Sequence, residues 1–73
     1  MKFNYYAETD TLYIVFNEAV GVDSFEISKD CIIDVDTEGN VIGLEVLNVK
    51  DKINFDQIIF NQFPIKDISF VNQ

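Results

Sequence analysis

The chain has 73 residues, 48% of them hydrophobic and 14% aromatic, and its 13 acidic and 5 basic side chains give a net charge of −8. That length leaves room for one domain with a small core, so residues 1–73 are read as a single domain, and the lone cysteine, Cys31, excludes an intramolecular disulfide framework. The acidic balance argues against direct nucleic-acid binding, because such binding needs cations that displace counterions from phosphates.

No apolar run approaches the ~20 residues of a membrane helix, and "MKFNYYAETD" at the start lacks an apolar segment. We therefore expect neither signal peptide nor anchor, no membrane partner and a cytoplasmic location. Short runs rich in Val, Ile, Tyr and Phe, separated by turn-like clusters, predict strands near 2–6, 11–16, 22–28, 31–36 and 41–47. The expected fold is α+β and mainly β: an antiparallel meander of about five strands, with one short C-terminal helix and a last edge strand.

Side-chain parity tests this arrangement, since facing residues of an antiparallel pair share one face of the sheet. With Phe3 and Tyr5 inward, the connection 7–10 puts Leu12, Ile14 and Phe16 inward as well. Phe25 and Ile27 follow, with Asp23 sharing their parity near the edge. Beyond the turn "SKD" come Cys31, Ile33 and Val35, and a loop at 36–39 or 37–40 aligns Ile42, Leu44 and Val46 with them. Five strands thus share one apolar face.

The stretch "DVDTEGNVIGLE" (34–45) matches a calcium-loop spacing at every position but one, where Glu38 replaces Asp or Asn. Such a loop needs a helical exit that swings the last carboxylate back to the ion. Here the exit "VIGLEVL" alternates with period two and is β-branched. In a hairpin Glu45 lies opposite Asp30 or Ile32, roughly 13 Å from Asp36 at ~3.3 Å per residue, and the cage does not close. Gly39 has a local use instead, in the left-handed position that ends a hairpin loop capped by Asp36 or Thr37. Asp34, Asp36 and Glu38 remain as weak candidates for a divalent-metal cluster, against the plainer reading of a solvated acidic face.

In "DKINFDQIIFNQF" (51–63) strict alternation is lost. Phe55, Ile58, Ile59 and Phe63 fall near one helical face, with Asp51 or Asn54 as N-cap and Pro64 as the stop, which predicts a short helix covering the sheet. A strand over the same residues, pairing with a second copy, is the alternative. The stretch "IKDISFVNQ" alternates again and predicts an edge strand. Phe60 and Val71 fall off the inward set and are candidate partner contacts, as are Tyr6 and Tyr13, which point away from the apolar face.

The pattern Y-Y-x-E-x-D-x-L-Y-I (5–14), followed by I-x-D-x-D-x-x-G-x-x-x-G-L-E-V-L (32–47), resembles the YuzE-like group of small prokaryotic proteins, domain of unknown function 2283. The matching positions are Tyr6, Glu8, Asp10, Leu12, Tyr13, Asp34, Asp36, Gly39, Gly43 and Glu45. The resemblance implies a largely β protein without assigned activity, in a group some of whose members are encoded beside toxin-like partners. Residues 51–73 depart from it.

Catalytic equipment is sparse. With no histidine the usual general base near neutral pH is missing, and Ser24, Ser28 and Ser69 have no basic neighbour to activate them. Cys31 falls on the apolar face, where a thiol is inert. We expect no enzyme and no cofactor. The expected role is that of a protein-interaction module, antitoxin-like in its sharper form and binding a basic partner. The alternatives are the weak metal site and a structural homo-oligomer, or homodimer, joined through Phe60, Phe63, Ile68 and Phe70.

Overall fold

A computed structural model describes residues 1–71 of the chain. Strands β1 (Lys2–Tyr6), β2 (Thr11–Val15), β3 (Asp23–Ser28), β4 (Cys31–Val35) and β5 (Val41–Val46) form one antiparallel open sheet, in the order β1-β2-β5-β4-β3. The only helical element among the described residues is a 3₁₀ turn, Val49–Asp51. The expected strands are all present, each within a residue or so of its expected ends.

Strand order departs from a simple meander, because β2 pairs with β5 and not with β3. Strands β3, β4 and β5 are linked by hairpins, and β2 lies beside β5, which gives a Greek-key order. Alternation decides which face a side chain joins but not which strand lies next to it, so parity alone left this open. The crossing 16–22 runs along the end of the sheet. The Phe16 and Asn17 N–H groups both donate to the Ile42 carbonyl, at 2.8 and 3.2 Å, and the Val22 N–H donates to Val35 at 2.9 Å.

The expected faces hold. One row across the sheet is Phe3, Ile14, Leu44, Ile33 and Phe25, and the next is Tyr5, Leu12, Val46 and Cys31. Register shifts at Glu26/Ser28 and Asp34/Val35 mark the bends in the β3–β4–β5 hairpins. Leu12, Val46 and Val49 make a buried cluster, against which Ile14 and Leu44 pack, while Val35 and Ile42 are buried as well. Burial of each such side chain contributes roughly 1.5–3 kcal/mol.

Val49 is carried into that cluster by two acidic residues in tight turns. Its N–H donates to the Asp10 carbonyl at 3.1 Å, and the Lys50 N–H donates to Asp10 Oδ2 at 3.2 Å. The Asp30 carbonyl accepts from Leu47 N–H at 2.9 Å, and its carboxylate accepts from Asn48 Nδ2 at 3.2 Å and from Lys52 Nζ at 3.0 Å. The lysine beside it, followed by the Asn48 amide, lowers the Asp30 pKa. Asp10, Asp30 and Asn48 all take left-handed backbone conformations (φ 51°, 65° and 51°), which Asx residues tolerate better than other L-residues do.

The expected helix at 51–63 does not form. Asp51 ends the 3₁₀ turn, and Asn54 uses its side chain to accept the Asp56 N–H at 2.8 Å, an Asx turn with no helix behind it. Gln62 then takes a left-handed conformation (φ 54°), which no helix accommodates. The run of Ile, Phe, Asn and Asp residues here has low helix propensity, and no facing element packs against it to outweigh that. The expected edge strand is absent too over its described part, 65–71, and the rest of that stretch lies outside the described residues. Phe55 reaches back to the sheet, its ring edge-on to Tyr5 with centroids 5.5 Å apart.

Candidate functional site

The face opposite the core carries the chain's polar side chains in rows. Asn4, Tyr13, Glu45, Ile32 and Glu26 lie across β1-β2-β5-β4-β3, and Lys2, Val15, Gly43, Asp34 and Ser24 form the neighbouring row. At its centre, Tyr13 on β2 donates its hydroxyl to Asp34 Oδ2 on β4, reaching across the intervening strand β5. Ser24 on β3 donates to the other oxygen, Oδ1, at 2.5 Å. Three strands, β2, β4 and β3, are thereby tied on their solvent side across the intervening β5.

Glycine at position 43 makes this possible. A Cβ there would stand 3.2 Å from the Ile14 carbonyl, 3.4 Å from the Tyr13 hydroxyl and 3.6 Å from Asp34 Oδ2. A Cβ at 43 would press on the Ile14 carbonyl and fill the space directly beneath the tyrosine–aspartate bond. The hydrogen bond to Asp34 is the main cause that pushes the Tyr13 hydroxyl up to about 12; partial burial and the charges of Asp34 and Glu45 add to it.

Asp36 works differently. It sits at the start of the β4–β5 loop, where its Oδ1 accepts the N–H groups of Glu38 and Asn40, both at 2.9 Å. Gly39 takes φ 84° and its N–H donates to the Asp36 carbonyl at 3.1 Å, the capped hairpin loop that the sequence predicts. These donors, Asn40 N–H foremost, hold the Asp36 carboxyl below its ordinary value. Glu45 pairs with Ile32 across β4, so the calcium-loop spacing is spelled by a hairpin.

The weak metal candidates are not brought together. Asp34 is turned to Tyr13 and Ser24, Asp36 is turned into its own loop, and Glu38 is exposed at the tip, its Oε2 3.5 Å from Asn40 Nδ2. Among the described residues no group of three or more carboxylate or thiol side chains has the geometry of a metal site.

Of the candidate contact residues, Tyr6 is exposed at the end of β1, while Tyr13 is half-buried with its hydroxyl engaged. Phe60 stacks edge-on with Phe63, centroids 5.2 Å apart, and Val71 is 87% exposed. The bond from Ser24 to Asp34 was missed by sequence reasoning, although placing β3 opposite β4 gives the two residues the same face.

The family model described as protein of unknown function (DUF2283) matches residues 2–50. The chain belongs to the DUF2283 family. No curated protein and no solved structure matches it. The matched segment is the whole sheet together with the start of the 3₁₀ turn, so the DUF2283 portion ends where Val49 closes the core. Residues Tyr13, Asp34 and Gly43 lie within it as one hydrogen-bonded unit. Among the described residues no helix is long and apolar enough to cross a membrane.

Proposed function

We propose that this DUF2283 protein is a non-enzymatic interaction module whose polar sheet face docks a basic protein. One observation carries the reading: Glu26, Asp34 and Glu45 share the outer face, and among the described residues none of them forms an ion pair with a lysine. Of the two ion pairs of the described residues, Lys52 with Asp30 lies outside those rows, and Lys2, at the β1 end of the second row, is already paired with Glu18. Carboxylates without a lysine partner on one face of the sheet supply a field complementary to a cationic surface. Tyr6, exposed beside them, offers amphipathic contact area of the kind that interfaces favour. In the sharper form of the reading the basic partner is toxin-like and this chain neutralises it, as the family resemblance implies.

The test is co-purification from the native host at low and at high salt. A basic protein recovered in stoichiometric amount at low salt and released by salt is the expected result. Replacing Glu26 and Glu45 together by lysine should abolish that recovery while circular dichroism stays unchanged. Failure to recover any stoichiometric partner at low salt would sink the proposal.

A further inference from the structure

At the two edges of the sheet the backbone itself lacks a partner. The order β1-β2-β5-β4-β3 leaves β1 and β3 each with one open side, where backbone N–H and C=O groups form a template for a further strand. All six residues of β3 are exposed.

The bonds of β4 decide which groups of β3 face outward. The Asp30 carbonyl accepts from Leu47, at the end of β5, and the Val35 carbonyl accepts from Val22, just before β3. Backbone groups alternate between the two sides of a strand, so Ile33 is turned to β3, and Phe25 opposite it spends its N–H and C=O on β4. Ser24 and Glu26 then direct theirs away from the sheet. In agreement, the Ser24 N–H is taken by the side chain of Asp23, donating to Oδ1 at 2.8 Å. The open edge therefore offers the Ser24 and Glu26 carbonyls, the Glu26 N–H, and the carboxylates of Asp23 and Glu26, neither of which is ion-paired among the described residues. Acceptors predominate on it.

We propose that the basic partner binds by adding an extended, antiparallel strand to the β3 edge, with alternating basic and apolar side chains. This rests on the reading of the acidic face given above and specifies how the partner is held. Backbone bonds to Ser24 and Glu26 set the register, and the side chains that face alternate sides of the sheet give the specificity. A basic residue opposite Glu26 stands about 5 Å from it and extends the outer face that also carries Asp34 and Glu45. The apolar residues between the basic ones extend the other face, beside Phe25 and Ile27, which are 50% and 57% exposed.

Charge selects this edge over the other. Strand β1 begins with Lys2, and its Tyr5 ring is already met by Phe55. Strand β3 carries Asp23 and Glu26 and no cation, Lys29 following only in the turn to β4. The same two carboxylates repel the β3 edge of a second copy.

The experiment adds synthetic octapeptides to the full chain: one alternating valine and arginine, one with the arginines N-methylated, and one with glutamate in place of arginine. Opposite an outward-facing Glu26 in antiparallel pairing, the arginine N–H groups face the edge, so methylation removes the backbone bonds and leaves the charge. The arginine peptide should slow amide hydrogen exchange at Glu26 by at least about tenfold, methylation should weaken its binding by at least about tenfold, and the glutamate peptide should not bind. Methylated and unmethylated peptides of equal affinity overturn the proposal, as does an arginine peptide that leaves Glu26 exchange unchanged. Protection of Glu26 that rises with the concentration of the chain alone also overturns it, since a second copy then occupies the edge. These outcomes are separate from the acidic-face reading. A basic partner recovered in the salt-dependent co-purification, together with indifference to methylation, leaves that reading standing and removes only the added strand.

Discussion

Replacing Tyr13 by Phe isolates the tie that crosses β5. The substitution keeps the ring and removes only the hydroxyl that donates to Asp34, and Asp34 retains Ser24 as a donor. A buried hydrogen bond to a charged acceptor contributes about 1.5–3 kcal/mol. Both partners are only half-buried here, so solvent screening brings the expected loss down to about 1 kcal/mol. Urea unfolding of the wild type, Tyr13→Phe, Asp34→Ala and the double variant completes a cycle in which the Ser24 bond cancels, and its coupling term should be about 1 kcal/mol. A second readout is the tyrosine titration. With the Tyr13 pKa raised from 10.0 to about 12, the stabilisation is complete below pH 10 and is lost as pH rises through the folded value. Asp34→Ala should move this late titration back toward 10.0. A coupling energy below about 0.3 kcal/mol, together with an unchanged titration, would refute the assignment of Asp34 as the acceptor.

Gly43→Ala gains about 0.5–1 kcal/mol of backbone entropy but sets a methyl group against a carbonyl of a paired strand and under the tyrosine hydroxyl. A net loss of about 1 kcal/mol and a lowered Tyr13 pKa are expected, and a gain in stability would show that the space is not needed. Val49→Ala should cost about 2 kcal/mol in urea unfolding, because Val49 has no exposed surface; a loss under about 0.5 kcal/mol would place the 3₁₀ turn outside the core. Asp36→Ala removes a carboxyl whose folded pKa lies below 3.8, so its contribution is present above that pH and is lost as pH falls through the folded value. The variant should be less stable near neutral pH and show a shallower acid limb, and an acid-unfolding curve parallel to wild type would contradict the loop cap.

The strands and their faces were legible in the amino-acid order, because alternation of period two is a local property. Phe3, Ile14, Ile33, Leu44 and Phe25 lie on one face wherever their strands are placed, and the Asp36–Gly39 loop follows from residues close in the chain. Sequence also distinguished a hairpin from a calcium loop at 34–45, since the exit beyond Gly43 cannot be helical and strand-like at once. The helical spacing of Phe55, Ile58, Ile59 and Phe63 misled, because spacing is only half of a helix signal; the other half is a surface to pack on, and residues 53–71 find little beyond the ring of Tyr5. Tertiary structure alone decided that β2 lies beside β5, and that decision brings Tyr13, Gly43 and Asp34 together over a separation of some 30 residues. The physical reason is that neighbours in a sheet are chosen by long-range hydrogen bonding and chain crossing, which no short window of sequence contains, whereas the face a side chain joins is set by the pleat of its own strand.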